Sequence, residues 1–185
     1  MLTTSSPEDL NLLLRALRFS AEKHMVQRRK SAQRIPYINH PIEVAETLNS
    51  QGNITDIAIL SAALLHDTVE DTETTLTELS QQFGQTVANL VAEVSDDKSL
   101  QPKERKRQQI IHAPTASHGA KQIKMADKIC NIKDITHAPP VGWSMQRKYA
   151  YLQWSQEVMA GLRGANPALE AYFDDIFAQA KRILG

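Results

Sequence analysis

The sequence predicts an all-α fold, a helical bundle forming a single domain over residues 1–185. Three observations point there. Apolar residues recur at three- and four-residue intervals along most of the chain, the period of a helix with a buried face. Start signals, in which a small polar residue precedes proline or acids, stand ahead of those runs. No segment carries the pattern of a strand. A chain of 185 residues with 42% hydrophobic content is long enough to bury one sizeable core.

Ser6-Pro7-Glu8-Asp9 provides an N-cap, a first-turn proline and first-turn acids. Leu10, Leu13, Leu14, Leu17 and Ala21 follow at helical spacing, so the first helix is expected to reach about Val26. Asn39-His40-Pro41 repeats the start signal, with Ile42, Ala45 and Leu48 turned inward and Gly52-Asn53 as the stop. Thr55-Asp56 opens a helix, Ile57 to Leu65, that is apolar on every side and therefore belongs in the centre. Thr75-Leu76-Thr77-Glu78 has the form of a capping box and Gly84 ends that helix. Val87, Leu90, Val91 and Val94 mark the next. PKERKRQQII reads as a charged, solvated helix, and Ile123, Ala126, Ile129 and Ile132 line a long one. Ser144 and Asn166-Pro167 are caps for the last two. The loops Arg28–Asn39, Asp96–Pro102, Ala113–Gly119 and Ala138–Gly142 are polar and expected on one side of the bundle.

Composition excludes several classes of function. Lys plus Arg and Asp plus Glu number 21 each, so there is no global basic field for nucleic acid, and any anion site must be local. Cys130 is the only cysteine, which excludes an internal disulfide and a thiolate zinc cluster and fits a reducing compartment. The start of the chain lacks the basic flank and cleavage site of a leader, and no apolar run approaches the roughly 20 residues that span a bilayer. A cytoplasmic protein without nucleic-acid or membrane partners is expected. Oligomeric state is not encoded in any pattern of this chain.

The chemistry lies in AALLHDTVEDT, Ala62 to Thr72, where the apolar helix ends in His66, Asp67, Glu70 and Asp71. Burying an unpaired carboxylate is costly, so acids at the tip of such a helix call for cations or hydrogen bonds. His66 and Asp67 are about 100° apart around a helix and can lean toward one ion at its end, with Glu70 and Asp71 one turn later. Imidazole with carboxylate suits manganese, iron or zinc better than calcium, and the absence of thiolates argues against structural zinc. Two residues do not complete such a shell. His40 and Asp127, the latter in KMADKICN, complete an H…HD…D set. The ordinary alternatives are a histidine of the cap region at His40 and, at Asp127, a buried acid paired with Lys124 or Lys128.

RIPYINHPIEVAETL, AALLHDTVEDTETTL and KMADKICNIKDI, in that order and at similar spacing, resemble the hydrolase domain of the RelA/SpoT alarmone enzymes, within the HD phosphohydrolase superfamily. The resemblance runs from about Ala21 to the C-terminal helices and is strongest to stand-alone small hydrolases typified by the metazoan SpoT homologue. It implies an HD-domain bundle and one Mn2+ held by His40, His66, Asp67 and Asp127, a site that Zn2+ or another divalent ion can also enter. It assigns to Glu70 and Asp71 the orientation or deprotonation of the attacking water. The implied substrates are guanosine tetraphosphate and pentaphosphate (ppGpp and pppGpp), cleaved at the 3′ position to pyrophosphate and GDP or GTP. Arg29, Lys30, Tyr37, Lys98, Asn131, Arg147 and Tyr151 match family positions near the nucleotide.

No glycine-rich phosphate loop and no length for a synthetase domain follow, so alarmone synthesis is not expected. Two other functions fit the same pattern: an HD phosphohydrolase acting on NADPH as a 2′-phosphatase, and a guanine-nucleotide sensor without turnover. The intact ligand and acid set favours an enzyme over the sensor. Cys130 reads as a small core residue, and His24, His112, His118 and His137 show no ligand pattern.

Overall fold

A helix that is apolar all round must find apolar neighbours on every side, and that requirement organises this molecule. The computed structural model describes residues 6–185; residues 1–5, at the head of the segment read for a leader signal, lie outside them. The central helix, α3 (Ile57–Leu65), is buried from Leu60 to Leu65. It packs against α1 (Pro7–Lys23), α2 (Asn39–Ser50), α6 (Gln85–Val94) and the long α8 (His118–His137). Helix α8 also carries contacts to α2, α6, α9 (Met145–Leu162) and α10 (Pro167–Leu184). Ile123, Ala126, Ile129 and Ile132 are all fully buried along it. Short α4 (Thr68–Asp71), α5 (Leu76–Phe83) and the charged α7 (Pro102–His112) complete the bundle. Among the described residues there is no strand, only the isolated bridges Arg28–Pro36 and Ser31–Pro140. None of the described helices is long and apolar enough to cross a membrane.

The start signals act as caps. Ser6 and Asp9 exchange hydrogen bonds in a capping box, Asp56 accepts from the Ala58 and Ile59 amides, and Ser144 and Asn166 cap α9 and α10. Three local expectations are corrected. Helix α1 stops at Lys23 rather than near Val26, because the Tyr37 and Arg29 amides bond the Gln27 and Ile35 carbonyls and fold the following residues into a small loop. Asn39 lies inside α2, with Ile38 in the cap position and no side-chain cap. Thr75 Oγ1 accepts from the Glu78 amide as expected, but the Glu78 carboxylate turns away to Lys23, 3.2 Å distant, so only half of the capping box forms.

Gly52, the expected stop of α2, has a packing reason. A Cβ there would sit 2.6 Å from the Leu48 carbonyl oxygen and 3.0 Å from Leu169 Cγ of α10. The same residue accepts a hydrogen bond at its carbonyl from Asn166 Nδ2 (2.9 Å). The variant Gly52→Ala is therefore expected to lose about 1–3 kcal/mol through overpacking, read as a lower urea midpoint at an unchanged slope.

Candidate active site

The site begins where α3 stops. The His66 Nδ1–H donates to the Ala63 carbonyl (2.7 Å) and the Thr68 hydroxyl to the Leu65 carbonyl (2.7 Å). Those are the acceptors that the next helical turn needs, so side chains that take them end the helix. Glu70 and Asp71 consequently do not extend α3, as the sequence suggests, but sit on the separate turn α4. The break turns Asp67 toward His66 and its neighbours: Asp67 Oδ2 lies 3.1 Å from His66 Nε2 and 3.8 Å from His40 Nε2.

His40, in the first turn of α2, and Asp127, midway along α8, complete the convergence. Asp127 Oδ1 is 3.2 Å from His40 Nε2 and 3.9 Å from His66 Nε2. One ligand atom each from His40, His66 and Asp67 lies within 4.8 Å of the others, a spacing that can hold a metal ion. The bond to Ala63 keeps a proton on His66 Nδ1, so Nε2 is the nitrogen aimed into the cluster, buried and 3.1 Å from Asp67 Oδ2. A buried imidazole nitrogen facing carboxylates calls for positive charge, as a proton on the ring or a metal ion beside it. The residues present therefore fit a divalent ion bound by imidazole and carboxylate.

The electrostatics agree with that fit. Burial opposes a charge on His66, yet Asp67 and Asp127 push its pKa up to about 9, which reports a strongly negative potential. Burial likewise disfavours ionised Asp67, but His66 and His40 hold it well below the usual carboxylate range. Asp127 is lowered too, by Lys128 and the two imidazoles acting against burial. Both expected surroundings of Asp127 are present: Oδ2 meets Lys128 Nζ at 3.0 Å and Oδ1 faces the histidines. Lys124 instead donates to the Val94 carbonyl (2.9 Å).

The acidic pair is held by other loops. Glu70 Oε1 accepts from the Asp96 amide at 2.7 Å, and Lys98 Nζ stands 3.9 Å from Oε2. Burial pushes the Glu70 carboxyl up to about 7, against the pull of the Asp96 amide. Asp71 accepts from Lys98 Nζ at one oxygen and from Gln27 Nε2 at the other, both at 2.9 Å.

Beside the cluster opens a cavity of about 350 Å³, bounded by Arg29, Lys30, Tyr37, Asp71, Asn131 and Tyr151, with Trp143 on its wall. Tyr37 donates to Asp67 Oδ2 (2.6 Å) and Asn131 Nδ2 to Asp127 Oδ1 (2.6 Å), so the cavity and the cluster share a wall. Two loops frame it, pinned together by the Val141 amide on the Lys30 carbonyl (2.9 Å). Of the residues expected near a nucleotide, Lys98 is turned onto the acids and Arg147 stacks over the Trp143 ring at 4.4 Å; neither lines the cavity. The Asp96–Pro102 and Ala113–Gly119 loops, expected on the same side of the bundle, contribute nothing to its lining.

Sequence reasoning missed Asp134, Gln27 and Trp143. Asp134 forms an ion pair with Arg29, and a signal for it existed, since Asp127, Asn131 and Asp134 share one face of α8 at helical spacing. Gln27 and Trp143 carry no such signal because loop geometry places them. Cys130 is a core residue as expected: burial pushes its thiol up to about 12.

Comparison with known proteins sets this geometry in context. A family model described as HD domain matches residues 16–165. The guanosine-3′,5′-bis(diphosphate) 3′-pyrophosphohydrolase MESH1 of Xenopus tropicalis is 54% identical over 169 residues, covering 91% of this chain and 94% of its own. The Homo sapiens protein of the same name is 51% identical over 167 residues, 90% of this chain and 93% of its own. A solved structure of a metazoan orthologue of SpoT that hydrolyzes ppGpp and plays a role in starvation responses superposes with a TM-score of 0.90 at 44% identity, covering 96% of this chain and 97% of that one.

Proposed function

This chain belongs to the HD domain family, and on that premise we propose that it is a guanosine-3′,5′-bis(diphosphate) 3′-pyrophosphohydrolase. One observation carries the reading: His40, His66, Asp67 and Asp127 converge against a cavity walled by Arg29, Lys30 and aromatic rings. Relatives at about half identity over nine-tenths of the chain bear that activity in their names.

On this reading the four converging residues hold one divalent ion, proposed as Mn2+, with residues 1–185 acting as one HD domain in the cytoplasm. Zn2+ competes for imidazole and carboxylate ligands in the usual affinity order. Such an ion, when bound, supplies positive charge to a phosphoryl oxygen and lowers the pKa of water. The chain does the rest. Glu70, buried and poised near neutrality, accepts the proton of the attacking water. Water oxygen bonds to the phosphorus on the 3′ oxygen; the bond to that oxygen breaks, pyrophosphate departs, and the 3′ oxygen takes up a proton. Asp71 faces the cavity and orients the water, held by Lys98 and Gln27. Arg29 and Lys30 meet phosphate charge, Tyr37, Trp143 and Tyr151 offer flat apolar faces to the nucleoside, and Asn131 steadies Asp127. Lys98 reaches the cavity only through Asp71, which it holds, and Arg147 only through the Trp143 ring it covers.

The test is incubation of the purified protein with guanosine tetraphosphate and Mn2+, with a chelator control and a parallel NADPH arm. GDP and pyrophosphate are expected in equal amounts and only without chelator. Intact guanosine tetraphosphate in the Mn2+ arm overturns the reading.

A further inference from the structure

A further histidine is buried beside the site without being one of the candidate ligands. His24, directly after α1, is 1% exposed. The hydrogen-bond directions around it are forced. Asp71 Oδ2 only accepts, so the Gln27 amide must aim its NH2 at that oxygen (2.9 Å). The Gln27 Oε1 then faces His24 Nδ1 at 2.6 Å, and an amide oxygen only accepts, so the imidazole proton is on Nδ1. His24 Nε2 is left buried without a partner. A phenyl ring would fill the same space without an unmet acceptor, so shape alone does not account for an imidazole here. Its ring also lies against Tyr37, with centroids 4.9 Å apart, and Tyr37 donates to Asp67.

We propose that His24 is a positioning residue: its Nδ1–H locks the Gln27 amide, and the locked amide sets the Asp71 carboxylate on the cavity wall. The inference rests on the 3′-pyrophosphohydrolase reading, in which Asp71 orients the attacking water. Without the relay, Gln27 is free to turn its oxygen toward Asp71. The carboxylate then keeps only Lys98, on its other oxygen.

Three substitutions separate the hydrogen bond from the packing. In His24→Asn the amide nitrogen falls where Nδ1 was, in His24→Gln where Nε2 was, and His24→Phe keeps shape alone. With Mn2+ and guanosine tetraphosphate, His24→Phe and His24→Gln are expected to lower kcat about tenfold or more, the scale of outer-shell orientation effects, with KM and metal content little changed. His24→Asn should recover most of the lost kcat. Gln27→Met should show the same drop as His24→Phe, and the double variant no further one, because both remove one relay. Thermal melts check that each variant folds. Wild-type kcat in His24→Phe, no recovery in His24→Asn, or losses that multiply in the double variant would overturn the proposal. A second readout needs no substrate: the imidazole 15N spectrum of the wild type should show the proton on Nδ1 and respond to Gln27→Met, whereas a proton on Nε2 overturns the relay. A wild type inert toward guanosine tetraphosphate removes the functional reading alone, and the nitrogen spectrum still decides this one.

Discussion

Asp67→Ala is expected to abolish metal-dependent turnover and to leave the purified protein without its divalent ion. Asp67 supplies the carboxylate oxygen nearest His66 Nε2, 3.1 Å away, and also receives the Tyr37 hydroxyl. Removing it leaves two imidazoles and Asp127, whose second oxygen is already engaged by Lys128. Changing an outer-shell partner of a metal ligand costs about 10–100-fold, so loss of the ligand itself should exceed about 100-fold in kcat. Elemental analysis after dialysis measures the ion and steady-state hydrolysis measures the rate. Loss of the carboxylate should also let the His66 pKa fall from its raised value, since Asp67 is the main group holding it up. An Asp67→Ala protein that keeps both its ion and its rate would remove the proposed centre.

Glu70→Gln is expected to lower activity and raise stability at once. The glutamine keeps a carbonyl oxygen for the Asp96 amide, which Glu70 Oε1 now accepts at 2.7 Å, so the fold is spared. It cannot take a proton from water, and loss of a general base typically costs about 10²–10⁴-fold. Wild-type activity should rise with pH as Glu70 ionises, with its inflection below about 7, because a bound cation favours the carboxylate over the metal-free value. The stability effect has the opposite origin. Burial raises the Glu70 pKa from 4.5 to about 7, so the folded state holds this proton more tightly than the unfolded chain does. The stabilisation is present below the unfolded value and lost as pH rises through the folded one. In chelator near pH 8 the wild type carries a buried charge that the variant lacks, so Glu70→Gln should melt higher, with the difference vanishing as pH falls toward about 4.5. A lower melting temperature near pH 8 would contradict the burial cost assigned to Glu70.

The legible part of the candidate site lies on regular helices or at their ends. Asp127, Asn131 and Lys128 belong to α8, whose apolar stripe made an acid conspicuous. His66 and Asp67 stood out at the end of a helix with no polar face. What was missed lies in contacts between a loop and a distant helix: Gln27 reaching Asp71 of α4, Arg29 pairing with Asp134 of α8, and Trp143 beneath Arg147 of α9. The turn of Lys98 onto the acids is of the same kind, since an exposed lysine carries no local sign of its partner.

The sequence by itself determined the helices and the inventory of the site. Period, caps and composition act over a few residues, and they already specified an all-α chain whose most apolar helix delivers an imidazole and carboxylates to its end. Only the tertiary structure decided where those groups point. The His66 and Thr68 side chains take the carbonyls of α3 and break it, α2 and α8 bring His40 and Asp127 across the gap, and the loop after α1 closes on Asp71. Each of these contacts joins atoms set by packing of distant segments, and the energy that selects them appears only when the core has formed.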